Sequence, residues 1–130
     1  MTVPFICVFI AFALVYLSKA PVALAMARQP GGYDNSDPRG QQAGLTGWAR
    51  RAVAAHQNGF EAFPAFAAAV LIAHLGGGDP VWSVRLSVAF VAARMLYIPL
   101  YIFDLHSLRS TVWGVGFLAT VGLFLLPILT

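Results

Sequence analysis

Two short stripes of polar side chains interrupt an otherwise apolar chain. Asn58 precedes Glu61 by three residues and Arg51 precedes it by ten. At about 100° per residue in a helix, these three fall within a sector of some 80°. Arg94, Tyr97, Tyr101 and Asp104 follow one another at intervals of three, four and three, which stacks them on one face of a second helix. These residue types suit the binding of a small molecule that carries carboxylates and an amine. Arg51 and Glu61 offer opposite charges, Asn58 offers an amide, and the tyrosine hydroxyls face a group to be activated. The competing reading is structural: a Glu61–Arg94 ion pair and its hydrogen bonds fix the register of two helices. Asn58, Tyr97, Tyr101 and Arg51 supply more donors and acceptors than one such pair consumes, and a polar ligand would use the surplus.

The elements that must hold these stripes are membrane helices. Of the 130 residues, 59% are hydrophobic, with only 8 Lys or Arg and 5 Asp or Glu, whereas a soluble domain carries about 25% charged residues. So few charges cannot cover the surface of a small soluble monomer. A net charge of +3 is too small for a nucleic-acid protein. Cys7 is the only cysteine, which excludes an intrachain disulfide and a cysteine-built metal site.

Crossing the hydrocarbon core takes about 20 helical residues. Four spans meet that length, over 4–27, 48–75, 81–103 and 110–128, with a polar loop at 29–47. The turn Gly76-Gly77-Gly78-Asp79-Pro80 and the short stretch 104–109 make consecutive helices antiparallel neighbours. The expected fold is therefore all-α: one domain over 1–130, an integral membrane four-helix bundle of up-down topology. Thr46 is a natural N-cap for the second helix, and Pro64 is expected to kink it. Ala23-Leu24-Ala25 resembles a signal-peptide cleavage site, but no Lys or Arg precedes the apolar run, and the span is long enough to stay in the membrane.

Lys19, Arg28, Arg39, Arg50, Arg51 and Arg109 all fall on one side of the bundle, and only Arg85 lies near the other. The cation-rich side is expected to be cytoplasmic, so loops 29–47 and 104–109 face the cytoplasm and both termini face outward. Each ionisable residue inside a span costs about 2.5–3.5 kcal/mol on insertion scales and needs a partner or a watery cavity. Antiparallel packing sets the start of the second span beside the end of the third, so both polar stripes lie in the cytoplasmic half and can form one site.

The remaining reactive types read as structural. His56, His74 and His106 do not gather at one end, so no metal site is expected. Cys7 is apolar-flanked and suits inert packing. Trp48, Trp82 and Trp113 lie near span ends, as interfacial anchors do. Arg85 suits snorkelling at the interface.

The run from Arg51 to Phe66, with its Asn58-x-x-Glu61-x-x-Pro64 element, resembles the second-helix signature of the MAPEG superfamily, membrane-associated proteins in eicosanoid and glutathione metabolism. Arg94-Met95-Leu96-Tyr97-Ile98-Pro99-Leu100-Tyr101 is similar to that family's third-helix pattern of an arginine followed by aromatics at plus three and plus seven. The polar first loop, with Asn35 and Pro38-Arg39, resembles that of small bacterial members. The resemblance implies a homotrimer in a lipid bilayer, the bacterial inner membrane, with glutathione as co-substrate between subunits near the cytoplasmic face. It implies a transferase or peroxidase that acts on lipophilic electrophiles or lipid hydroperoxides through an activated thiolate. Asn58, Glu61 and Tyr97 would hold the γ-glutamyl end, Arg94 would brace Glu61, and Tyr101 would lie near the tripeptide. Arg109, at the start of the fourth helix, would stabilise the thiolate. Ala54 stands where established members carry an arginine. Arg51, one turn earlier, is the substitute, and His56 adds a hydrogen-bonding group two positions before Asn58. Ala62 replaces a tyrosine that some members place after the glutamate. The alternative is a non-catalytic protein of the same fold that binds lipid or an anionic metabolite.

Overall fold

The computed structural model describes residues 1–130, and it is wholly helical apart from turns and loops. In chain order the helices are α1 (Val3–Leu17), α2 (Lys19–Ala27), α3 (Pro38–Ala43), α4 (Gly47–Leu75), α5 (Pro80–Ile102) and α6 (His106–Leu129). Taken together, α1 and α2 form one unit of 25 residues, and this unit, α4, α5 and α6 are each long and apolar enough to cross a membrane. Pro21 explains the interruption between α1 and α2. It has no N–H to give the Leu17 carbonyl four residues back and crowds that carbonyl, so the chain loosens at Ser18. Pro64 lies inside α4, which continues through it to Leu75.

The turns that reverse the chain have specific causes. After α4, Gly77 takes φ +73°, and the Gly78 and Gly77 amides donate back to the Ala73 and His74 carbonyls at 2.9 and 3.3 Å. This is the Schellman closure, which favours glycine because the left-handed backbone crowds a Cβ. Glycine is also needed for space here, since a Cβ on Gly76 would stand 2.7 Å from Pro127 and one on Gly78 would stand 2.9 Å from Leu126. The same closure ends α5, where Leu105 and Asp104 donate to Leu100 and Tyr101, but the left-handed position, φ +60°, is filled by Asp104. Asp104 thus leaves the face that carries Arg94, Tyr97 and Tyr101. Its spacing in the sequence suits that face, but the helix ends at Ile102 before reaching it.

The core is split in two. One apolar cluster joins α1, α4, α5 and α6 through Cys7, Ala11, Phe66, Val70, Phe90 and Leu123, with Phe66 and Phe90 stacked face to face at 3.9 Å. Cys7 is a packing residue there. A second cluster ties α2 to the start of α4 through Val22, Met26, Leu45, Ala52 and Val53, with Ile102 against it. Between the two levels lies a polar layer that contains Ser18, His56, Asn58, Glu61, Arg94 and Tyr97. The polar loop is ordered by its own side chains: Asp34 accepts from the Ser36 hydroxyl at 2.6 Å and from the Ser36 and Asp37 amides. Those bonds hold the Asp34 carboxyl below the usual carboxylate range.

Candidate functional site

α4 and α5 run side by side through the polar layer, and their stripes meet. Arg94 Nη1 donates to Asn58 Oδ1 at 2.8 Å, and Asn58 Nδ2 donates to Glu61 Oε2 at 3.3 Å. The expected direct Glu61–Arg94 ion pair is therefore replaced by a relay through the Asn58 amide. One amide can serve both ends because its oxygen only accepts and its nitrogen only donates. Arg94 is 7% exposed, and its guanidinium sits 4.2 Å over the Tyr97 ring. It spends one of its N–H groups on Asn58, while the ring face offsets part of the charge.

The aromatic residues carry the arrangement onward. Tyr97 meets Tyr101 edge to face at 5.6 Å, and the Arg109 guanidinium, from the first turn of α6, lies 4.3 Å over the Tyr101 ring. Glu61, Asn58, Arg94, Tyr97, Tyr101 and Arg109 thus form one unbroken ladder across three helices. Tyr97 is buried and Tyr101 half-buried, and the two phenol rings lie between two guanidiniums in a ladder that runs from a carboxylate at one end to an arginine at the other. Such a row can hold a zwitterionic ligand at the Glu61 end and stabilise developing negative charge at the Arg109 end.

A cavity of about 310 Å³ opens beside the ladder between α4, α5 and α6. Asn58, Glu61 and Arg94 form its polar end, and Phe90, Trp113 and Phe117 line its apolar part. Trp113 and Phe117 stack in parallel at 5.2 Å. Position along the span makes Trp113 look like an interfacial anchor, but it also forms a wall of this cavity. The signal was present in the sequence: Trp113, Phe117, Thr120 and Phe124 repeat at intervals of four, three and four, one side of α6.

Two other candidates lie elsewhere. Arg51 Nε donates to the Ile102 carbonyl at 3.0 Å, where it satisfies one of the orphan carbonyls at the end of α5. It is joined to the end of the tyrosine-bearing helix rather than to Asn58. His56 faces α1: Nδ1 lies 3.0 Å from the Val15 carbonyl and 2.7 Å from the Ser18 hydroxyl, and its ring packs against Phe60. Two residues from Asn58 is about 200° around the helix, which puts His56 on nearly the opposite side. Ser18, its partner, carried no signal in the sequence beyond its position at the break before Pro21.

Comparison with known families gives one match: the model of the MAPEG family covers residues 3–129, nearly the whole chain. No curated protein and no solved structure matches the chain.

Proposed function

The chain belongs to the MAPEG family and is an integral membrane four-helix bundle, and from that premise we propose that it is a glutathione-dependent transferase or peroxidase working on lipophilic electrophiles or lipid hydroperoxides. The family includes both such enzymes and non-catalytic members. The observation that carries the reading is the ladder from Glu61 to Arg109 beside the 310 Å³ cavity. Glu61 accepts the α-ammonium of the γ-glutamyl group, and Asn58 and Tyr97 supply hydrogen bonds to it. Arg94 is a positioning residue, since it fixes the Asn58 amide and so orients Glu61. Tyr101 and Arg109 then face the cysteinyl end of the tripeptide.

The chemistry is thiolate activation. A free thiol ionises near pH 8.5, and a guanidinium beside a phenol hydroxyl lowers that value by favouring the charged form. The thiol proton leaves to solvent. With an aryl halide as electrophile, the sulfur electron pair forms the C–S bond and the halide departs with the electrons of the bond it breaks. An electrophile dissolved in the bilayer meets a sulfur already held in place, which removes much of the entropic cost of encounter.

Assembly as a homotrimer in the bacterial inner membrane, with loops 29–47 and 104–109 cytoplasmic, belongs to the same reading. The cations Arg28, Arg39, Arg50, Arg51 and Arg109 at one end of the bundle support that orientation. Single cysteines introduced in a Cys7→Ser background test it: position 36 is expected to label from the cytoplasm and position 78 from outside, and the reverse pattern would put the ladder in the wrong leaflet.

One observation favours a non-catalytic protein. Ala54 leaves the second span without the arginine found in established members, and Arg51 is engaged by the Ile102 carbonyl. Calorimetric glutathione binding and aryl-halide conjugation, measured on the purified detergent-solubilised chain, separate the two. Binding together with turnover supports the enzyme, while absence of both supports the scaffold.

A further inference from the structure

Four hydroxyl side chains are buried in the bundle: Ser18, Ser83, Ser87 and Thr120. Two of them donate to backbone carbonyls of the preceding turn, Ser18 to Val15 and Thr120 to Gly116, as hydroxyls in apolar helices usually do. The other two do not. Ser83 and Ser87 stand one turn apart on one side of α5. The Ser87 hydroxyl is fully enclosed and has no partner, while Ser83, 8% exposed, turns an equally unbonded hydroxyl onto a cavity of about 140 Å³. A buried hydroxyl without a partner is costly, so one that faces open space marks where a partner belongs.

That cavity lies within the chain, between the start of α1, the end of α4 and the start of α5, at the opposite end of the bundle from Arg109. Phe5, Val70, Val84 and Leu123 give it apolar walls, and Thr2, His74 and Ser83 are the side chains that can hydrogen-bond into it. None of its lining residues is Asp, Glu, Lys or Arg. The neighbouring Asp79 carboxylate accepts from the Trp82 amide at 2.8 Å, and His74 is held edge to face by Phe5 at 4.9 Å. An ion would find no fixed charge to pair with, and burying it would be costly. A neutral molecule meets no such penalty. A cavity of about 150 Å³ is large enough for a benzene ring. Water would satisfy Ser83 but would wet the apolar walls, whereas a ring that carries one oxygen suits both.

We propose that this cavity is a second small-molecule site, which takes a neutral ligand with an apolar body the size of one ring and a hydroxyl that bonds to Ser83 Oγ. It is built from residues outside the Glu61–Arg109 ladder and stands independently of the glutathione reading.

Fluorine NMR of the full chain in detergent tests it, with para-fluorophenol and fluorobenzene as paired probes and protein-free micelles as the blank for simple partitioning. The wild-type chain is expected to bind para-fluorophenol saturably and about tenfold more tightly than fluorobenzene, since one buried hydrogen bond is worth about that factor. Ser83→Ala removes the hydroxyl and erases the preference, which leaves both probes at the fluorobenzene affinity. Ser87→Ala removes the deeper hydroxyl, which does not line the cavity, and keeps the preference. Ser83→Leu fills the space and abolishes saturable binding of both probes. If that overpacked variant does not fold, Ser83→Ala, which deletes a single heavy atom, still decides. Equal affinities of the two probes for the wild-type chain would overturn the proposal, as would equal losses from Ser83→Ala and Ser87→Ala, because Ser83 would then not read the ligand's hydroxyl. Partitioning identical to that of the protein-free micelles would also overturn it and leave the cavity to water.

Discussion

The two sides of α4 hold polar groups at the same depth by different means. On one side Asn58 joins a buried arginine to a carboxylate; on the other His56 joins a serine hydroxyl and a backbone carbonyl on α1. The first arrangement is charged and reaches through three helices to Arg109. The second is neutral when His56 is neutral and ends within one helix pair. A helix in lipid can therefore use one polar layer both to carry a charged network across three helices and to secure its neighbour, provided that the charges are confined to one face.

Asn58→Ala gives the largest expected difference between the faces. It strips a buried guanidinium of its only side-chain hydrogen bond, and loss of a partner for a buried charge costs about 3–5 kcal/mol. His56→Ala removes neutral hydrogen bonds and should cost about 1–2 kcal/mol. Reversible unfolding in mixed micelles compares the two directly, and equal losses would mean that the Arg94 charge is solvated by something other than Asn58. A cycle of Glu61→Gln and Arg94→Leu sharpens the point. A relay predicts that the double variant loses less than the sum of the single ones, and simple additivity would show that Asn58 transmits nothing between them.

Arg109→Ala comes next. It leaves the Asn58 end of the ladder intact, so glutathione binding should persist while the bound thiol's pKa rises. A rise of one unit is about 1.4 kcal/mol and lowers the thiolate fraction about tenfold at neutral pH. The sign follows from the charge: removing a cation favours the protonated thiol, so the lost rate returns as pH increases through the raised value. Thiolate absorbance and conjugation rate against pH provide the measurement. A loss of rate with an unshifted profile would reduce Arg109 to an anchor for α6.

Asp104→Gly is the smallest change and lies off both faces. Relieving a left-handed non-glycine residue should stabilise the chain by about 1 kcal/mol without altering ligand binding. A change in binding would show that the turn at Asp104 sets the height of Tyr101.

The sequence revealed the polar layer well because intramembrane polar groups are scarce and helical spacing is strict. Asn58, Glu61, Arg94, Tyr97 and Tyr101 could be placed together from two stripes and one antiparallel turn. What it concealed follows from backbone accounting. Arg51 lies within the same helical sector as Glu61, but a long flexible side chain goes to the nearest unsatisfied carbonyl, and spacing does not disclose that the end of α5 offers one. Asp104 fits the stripe by number, but the helix stops first. His56 was legible by angle alone, since about 200° separates it from Asn58, whereas the family pattern grouped it with the ligand set. The break at Ser18 needed Pro21 to be read as a missing amide rather than as one more apolar residue.

The hairpin between α4 and α5 has a mechanical consequence. Gly76 and Gly78 let the turn after α4 lie directly against Pro127 and Leu126 of α6, and the Thr130 hydroxyl accepts from the Asp79 amide at 3.0 Å. With no side chain between them to repack, these segments behave as a fulcrum rather than a hinge with slack. Small rotations of α6 about that point are amplified along its 24 residues, so the greatest displacement falls on its first turn, where Arg109 meets Tyr101. The rigidity of one membrane face thus concentrates the bundle's breathing at the other.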